Sequence, residues 1–432
     1  MSRTSSAPAE PCASSPSLWQ GTAPAGPALE PLAGHAETDV LIVGGGIAGV
    51  STALHLAEAG SDVLLVEAGE LGSGATGQSG GLVAPDFVRH NPDAVGQALG
   101  RAAGERLTRF VGGSAQRCFE LIARHGIDCD SRQDGFYSPV CTPSRASAQR
   151  IAAEQWRARG FDVATLDARE TERMIGTSAY CGSSRFGQGG SLNPIAYVRG
   201  LARAAASAGA QLHIRTPVEA LGYVGDRWQA RTSKGVVSAR RVVLAANGGN
   251  PGLHPAMDRS VLPLEVVEFA TEPLSSDLRT LILPQGGAFT DKAPYIFTAR
   301  YDGAGRLISA FPKSYFVSGQ EAFRAEAKRR LGKCFKGLET VGIEVLWEGV
   351  AWINASFLPE VYDLGQQAYA IQACNGRGIS INTAIGIELA TALVTGDLEA
   401  LSVRPRQPSP IRFYRGAKLL PKAMMTMAYL SD

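Results

Sequence analysis

Apolar positions along the chain follow two periods, and the switch between them marks the elements. Residues 39–43 (DVLIV) and 62–66 (DVLLV) are nearly continuous apolar runs, as parallel strands buried on both faces require. Between them Ile47, Val50, Leu54 and Ala57 recur at helical spacing through residues 47–59, and Gly60 follows as a C-cap. The unit reads β-α-β. Residues 94–155 read mostly as helices, broken by the turn-rich DSRQDGFYSP. Asn193-Pro194 then opens the helix NPIAYVRGLARAAASAGA, an N-cap followed by proline in the first turn. It leads into a strand, QLHIRTPVEALGY, and a hairpin-like WQARTSKGVVSARRVVLAANGG. Residues 261–346 are strand-rich around one amphipathic helix, GQEAFRAEAKRRLGKCF. The segment CNGRGISINTAIGIELATALVTG reads as a glycine-rich loop and a helix ending near Gly396.

With 432 residues and 45% hydrophobic content the chain can bury a core spread over two or three domains. Its 42 basic and 40 acidic residues give a net charge of +2, a balance that points away from nucleic acid and from an anionic membrane. The cysteines, Cys12 and Cys374 among them, are odd in number and scattered without a CxxC or Cys/His ligand spacing. This argues against a metal site or a disulfide framework and for a reducing, cytoplasmic setting. The N-terminal residues 1–37, rich in Ala, Ser and Pro, read as a surface arm that Leu18 and Trp19 can anchor, without the apolar core of a signal peptide. No uninterrupted apolar run approaches the ~20 residues of a membrane span.

The first β-α-β unit carries the chemistry. Gly44, Gly46 and Gly49 form GxGxxG between strand and helix: a tight turn, a close approach to a pyrophosphate, and close helix–strand packing. The amides of Ile47 and Ala48 then point from a helix N-terminus toward phosphate. Glu67 ends the second strand, where a carboxylate accepts ribose hydroxyls, with Ala68 beside it. A dinucleotide site follows. A plain NAD enzyme continues into another β-α-β repeat; here GSGATGQSGG (residues 72–81) comes instead, five glycines and no bulky side chain. Backbone at Gly74, Ala75, Gly80 and Gly81 suits a flat ring, and Thr76 and Ser79 offer hydroxyls to phosphate or ring. A surface loop is the plainer alternative.

In order, DVLIVGGGIAGVSTALHLAEAG, VEAGELGSGATGQSGG, GGSLNPIAYVRGLARAA, TPV, RRVVLAANG, WEGV and CNGRGISINTAIGIELA resemble the FAD-dependent D-amino-acid oxidase superfamily. That family includes glycine oxidase, sarcosine oxidase and D-amino-acid dehydrogenase. The arm SLWQGTAP, the GATGxxGG loop and the tail MTMAYLSD are most similar to its gamma-glutamylputrescine oxidase-like proteins, and the resemblance runs from about Ser17 to Asp432. It implies that residues 72–81 approach a flavin and that Val218 touches adenine. It further implies that Ala245–Gly248, with Ala246, Asn247 and Gly248, close a crossover beside the cofactor, and that the loop Asn375–Ile379, with Gly376, Arg377, Gly378 and Ile379, presents backbone amides to the flavin's pyrimidine edge. The chain departs from the family at several positions. Gln78-Ser79 replaces a frequent Arg-Asn, and Asn354 and Ser356 stand for a Thr and an Asp. Ser380 and Ile308 occupy places where sarcosine oxidases carry lysines for carboxylate binding and oxygen reduction.

These readings give an α/β fold: a Rossmann-like FAD-binding domain (residues 38–110, 185–260 and 347–400) with an inserted antiparallel-sheet-rich substrate domain (111–184 and 261–346) and a tail (401–432). The expected activity is oxidation of a C–N bond in an amine or amino acid by hydride transfer to flavin N5, with oxygen or another acceptor taking the electrons. An FAD-dependent hydroxylase or desaturase, or a non-catalytic flavin-binding protein, are the alternatives. Alternation in APYIFTARYDGAGRLIS puts Tyr295 and Phe297 on one face as a substrate wall and Arg300 on the other. Arg300 either binds a carboxylate or is structural. Trp352 either stacks on substrate or flavin or fills core. Arg377 either serves as the charged group of the site or caps nearby carbonyls. His90 reads as a surface histidine, and Cys374 as a weak candidate for covalent flavin attachment.

Overall fold

The computed structural model describes residues 16–432 apart from 250, 251, 256, 373 and 374, so Cys12 and Cys374 lie outside the described residues. Its opening strand, Gly34–Val43, begins ahead of the apolar run and reaches back into the stretch expected to be an arm. The polar first half pairs in parallel with Gly235–Leu244, and the apolar second half also pairs with Val63–Val66. Val40 and Ile42 pack toward the helix Ile47–Glu58, while Leu41 and Val43 pack into a separate cluster on the other face. This is the two-sided burial that the unbroken apolar run requires. Each such side chain contributes about 1.5–3 kcal/mol relative to exposure.

The first sheet runs Glu360–Gly365, Ala368–Gln372, Gly235–Leu244, Gly34–Val43, Val63–Val66, Gln211–His213. It is parallel except at its Glu360 edge, and Val218–Val224 and Arg227–Thr232 extend it as an antiparallel branch. The stretch QLHIRTPVEALGY is therefore two strands, broken where Arg215 takes φ +49. The helices Ile47–Glu58 and Gly378–Thr395 cross closely: a Cβ on Gly386 would lie 2.6 Å from the Ser51 side chain. By length and composition Gly378–Thr395 is the one helix among the described residues apolar enough to cross a bilayer, and most of it is buried inside the protein.

The second sheet runs Ile343–Ile353, Leu262–Pro273, Arg306–Pro312, Thr298–Tyr301, Ala288–Thr290, Phe136–Val140, Gly182–Phe186, Val163–Leu166. Its pairs are antiparallel except for Ala288–Thr290 against Phe136–Val140. One face packs on the helix Gln320–Cys334 through Phe269, Phe289, Phe311, Phe323 and Leu331. The helix Arg101–His125 and the strand Ile343–Ile353 run unbroken through residues 110 and 346, where the sequence places segment boundaries.

The arm is anchored as its apolar pair suggests. Leu18 and Trp19 are buried on a short helix, Leu18–Thr22. The Trp19 indole donates to Ser79 O at 2.7 Å and packs edge-on against Trp347.

Candidate active site

A cavity of about 1100 Å³ opens between the C-terminal ends of the first-sheet strands (Val43, Val66, Ala245) and the face of the second sheet carrying Leu264, Val266, Glu268, Thr298 and Ala310. Crevices at the carboxyl ends of parallel strands are the usual ligand sites of such sheets.

Backbone makes one end of the cavity. Gly44 has φ +119, and a Cβ there would lie 2.8 Å from the Ala245 carbonyl carbon. A Cβ on Gly49 would lie 2.0 Å from Gly44 O, which is why helix and turn can close only with glycine. Gly46, Ile47 and Ala48 line the cavity at the start of the helix, where amides lack helical partners and no N-cap side chain bonds them. The Thr76 hydroxyl accepts weakly from Ile47 N at 3.3 Å. The Glu67 carboxylate accepts from Gly45 N at 2.6 Å and Gly69 N at 2.8 Å, which fixes it facing the cavity with lone pairs to spare. Ala68, Val218, Ala246 and Asn247 complete this end.

The stretch 72–81 lines the cavity with all of its residues except Gly77, and Ala75–Gln78 within it forms a single helical turn. The sequence predicts that its glycines let backbone lie against a flat ring. The structure adds a second reason, because protein atoms already occupy the space their side chains would take. A Cβ on Gly77 would lie 2.6 Å from Ile195, one on Gly80 2.9 Å from Glu268 Oε2, and one on Gly81 2.4 Å from Arg300 Nη2.

Charged side chains make the other end. Asp86 sits between two cations: Lys292 Nζ is 2.8 Å from Oδ2 and Arg377 Nε is 2.9 Å from Oδ1. Burial alone would raise the Asp86 carboxyl, but the two cations outweigh it and hold it below the ordinary carboxylate value. Burial lowers the Lys292 ammonium, and Asp86 offsets only part of that. Lys292 and Arg377 line the cavity with Asp86 behind them, so the three together carry one net positive charge. Arg145, which donates to Lys292 O at 2.7 Å, lines the cavity as well.

Two further carboxyls reach the cavity. Burial pushes Asp291 up to about 6, against the amides of Phe297 and Ala293 that bond it. Burial pushes Glu268 up to about 8, with the nearby Arg300 cation offsetting only part. Glu268 Oε2 has no well-formed hydrogen bond among the described residues. Met424, Met425 and Ala428 of the C-terminal helix Leu420–Leu430 form one wall. Among the described residues no three His, Cys, Asp or Glu side chains gather as metal ligands.

Most residues singled out from the sequence come together here: Gly44, Gly46, Ile47, Ala48, Glu67, Ala68, Gly74, Ala75, Thr76, Ser79, Gly80, Gly81, Val218, Ala246, Asn247, Gly376, Arg377, Gly378 and Ile379 all line the cavity. Gly49 is a packing glycine behind it, and Gly248 lies under the Trp352 ring, whose atoms a Cβ there would meet at 2.1 Å.

The expected substrate wall is corrected in three places. Tyr295 and Phe297 turn into the core of the second sheet, where Tyr295 donates to Pro312 O at 2.8 Å; Ile296 and Thr298, of opposite parity, face the cavity instead. Arg300 is fully buried beneath the glycine stretch, donating to Gly80 O, Tyr301 O and Leu192 O and lying over the Trp19 ring. Its donors are taken up by these carbonyls, and it does not line the cavity. Trp352 does not line the cavity. Ser380 donates to Ala84 O and Ile308 is buried against the arm, so neither position offers a group to the cavity. His90 is partly buried and bonds Ser356 O at 2.8 Å. Asp86, Glu268, Asp291 and Lys292 escape a reading of the sequence; no motif surrounds any of them, and only the folded chain brings them together.

The backbone end fits FAD by its own features: space that a Cβ would fill at Gly44, a helix N-terminus with no N-cap side chain, and a fixed carboxylate at the end of the second strand. Gamma-glutamylputrescine oxidoreductase of Escherichia coli strain K12 is 29% identical over 379 residues, covering 86% of this chain and 88% of that protein. The crystal structure of glycine oxidase from Geobacillus kaustophilus superposes with a TM-score of 0.71 at 21% identity, over 87% of this chain and 99% of that one. L-proline dehydrogenase from P. horikoshii superposes with a TM-score of 0.70 at 18% identity, over 84% and 94%. Both structural likenesses concern the fold. Residues 39–392 match the profile of the FAD dependent oxidoreductases, DAO, and the chain belongs to that family.

Proposed function

We propose that this FAD-dependent oxidoreductase oxidises a C–N bond of an amine or amino acid that bears a carboxylate. The observation that carries the reading is the buried Asp86–Lys292–Arg377 cluster, which presents its two cations and a net positive charge to the cavity. Gamma-glutamylputrescine oxidoreductase, the sequence relative, is named for an amine and supports the amine class.

FAD, when bound, supplies the two-electron acceptor for the C–H bond beside nitrogen. Gly46, Ile47, Ala48, Thr76 and Glu67 would hold its nucleotide part, and Gly376–Ile379 with residues 79–81 would hold its ring. Lys292 and Arg377 grip the substrate carboxylate and orient the carbon beside it. Their positive charge also disfavours an ammonium nearby, so the amine is presented in its neutral, oxidisable form. Glu268, which lines the cavity, is placed to exchange a proton with the substrate nitrogen. Ile296, Thr298, Met424 and Met425 exclude water from the reacting carbon.

Anaerobic spectroscopy of the flavin-loaded protein across a panel of amines and amino acids tests this. The expected result is bleaching by a carboxylate-bearing amine, with Lys292→Met raising the concentration required by about 10- to 100-fold. Carboxylate-free amines should be indifferent to that substitution. Failure of every amine to bleach bound flavin would overturn the reading, and reoxidation by air or by a quinone dye identifies the acceptor.

A further inference from the structure

The balanced overall charge hides one asymmetric stretch. From Ser402 to Ser431 there is no acidic residue, while Arg404, Arg406, Arg412, Arg415, Lys418 and Lys422 contribute six cations. Arg404, Arg406 and Lys422 are paired with Glu399, Glu360 and Glu265. Arg412, Arg415 and Lys418 are exposed and form no ion pair among the described residues.

The same stretch is unusually apolar on its outside. Phe413, Leu419, Leu420, Met424, Met427 and Leu430 are all exposed, Phe413 at 90% and Leu430 at 69%, and Tyr315 and Phe316 are exposed as well. Tyr315 N donates to Thr426 Oγ1 and the Phe316 ring tilts against Tyr429, which places both beside the tail. In the helix Leu420–Leu430 the inward side is already used: Met425 and Ala428 line the cavity, and Tyr429 packs edge-on against Tyr295. Leu420 and Met427, at i and i+7, lie along the exposed side, with the half-exposed Met424 at its border with the cavity. A helix apolar on both sides has a second surface to bury.

We propose that this surface docks on an anionic lipid bilayer, with Phe413, Leu420 and Met427 entering the headgroup region and Arg412, Arg415 and Lys418 meeting lipid phosphates. Apolar side chains flanked by unpaired cations are the composition of an interfacial helix. A second copy of the chain fits less well, because a two-fold interface would set these cations against themselves. Since Met424 and Met425 line the cavity, docking brings that wall to the bilayer surface. The inference is independent of the substrate reading.

The test is sedimentation of the flavin-loaded full chain with phosphatidylcholine vesicles, with and without phosphatidylglycerol. Binding should require phosphatidylglycerol and fall with added salt. The triple variant Arg412→Gln, Arg415→Gln, Lys418→Gln should weaken it on the order of a hundredfold. Leu420→Ser with Met427→Ser should weaken it too, while the flavin absorption and melting temperature of both variants stay as in the parent. Absence of binding to phosphatidylglycerol vesicles would overturn the proposal. So would a dimer in sedimentation velocity that the Leu420→Ser, Met427→Ser variant splits, which would assign the surface to a second copy.

Discussion

The two ends of the cavity are built on different principles. The nucleotide end is backbone: a glycine turn, a helix N-terminus and a carboxylate tied by two amides, all within residues 44–81 apart from the Val218, Ala246 and Asn247 contacts. The substrate end is side chain: Asp86, Glu268, Asp291, Lys292 and Arg377 are spread over 291 positions and meet only on folding. An end made of backbone is broken by adding atoms. An end made of buried charges is broken by removing one.

The largest expected effect follows from that second statement. Asp86→Ala leaves the Lys292 and Arg377 cations together without their counter-charge and should cost about 3–5 kcal/mol in denaturant unfolding. The sign with pH is fixed by the depressed carboxyl. Its stabilisation is present above the ordinary carboxylate range and is lost as pH falls through the folded value, so the variant should also flatten the acid limb of the stability profile. A cost below about 1 kcal/mol would mean that the cluster is solvated and that the comparison between the ends fails.

Glu268 behaves oppositely. Its carboxyl is raised from 4.5 to about 8, so its contribution is full below the ordinary carboxylate range and is lost as pH rises toward about 8. Glu268→Gln should remove most of that decline, measured by melting at a series of pH values. A parallel pair of profiles would show that Glu268 is solvated through the cavity.

At the backbone end, Gly49→Ala places a methyl group 2.0 Å from Gly44 O. The expected cost is about 1–3 kcal/mol with reduced flavin content, read from the ratio of flavin to protein absorbance. Full flavin content would show that the turn relaxes and that its glycine spacing is less exacting than the geometry implies.

The same contrast explains what is legible in the sequence. The GxGxxG spacing, the Glu67 position and the stretch 72–81 are local, because backbone conformation and close approach leave glycine in place wherever they act. Alternation around Tyr295 and Phe297 defines two faces without saying which is inward; both faces carry apolar residues, and Ile296 and Thr298 take the cavity side. The role of Arg300 stays open in the sequence because its partners include the carbonyls of Gly80 and Leu192, more than a hundred positions away. Charge clusters such as Asp86–Lys292–Arg377 leave no local trace at all.

The smallest effect probes whether the nucleotide end uses any side chain besides Glu67. The Thr76 hydroxyl accepts from Ile47 N at 3.3 Å, at the long limit for such a bond, so its net contribution should be about 0.5–1.5 kcal/mol. Thr76→Val keeps the shape and removes the acceptor, and flavin affinity followed by fluorescence quenching should fall by about tenfold or less. Thr76→Ser keeps the hydroxyl and should retain the parent affinity. If Thr76→Val binds flavin as tightly as the parent, the Ile47 amide bonds the ligand rather than Thr76. The nucleotide end is then backbone apart from Glu67, and the division between the two ends is sharper than the hydrogen bond suggests.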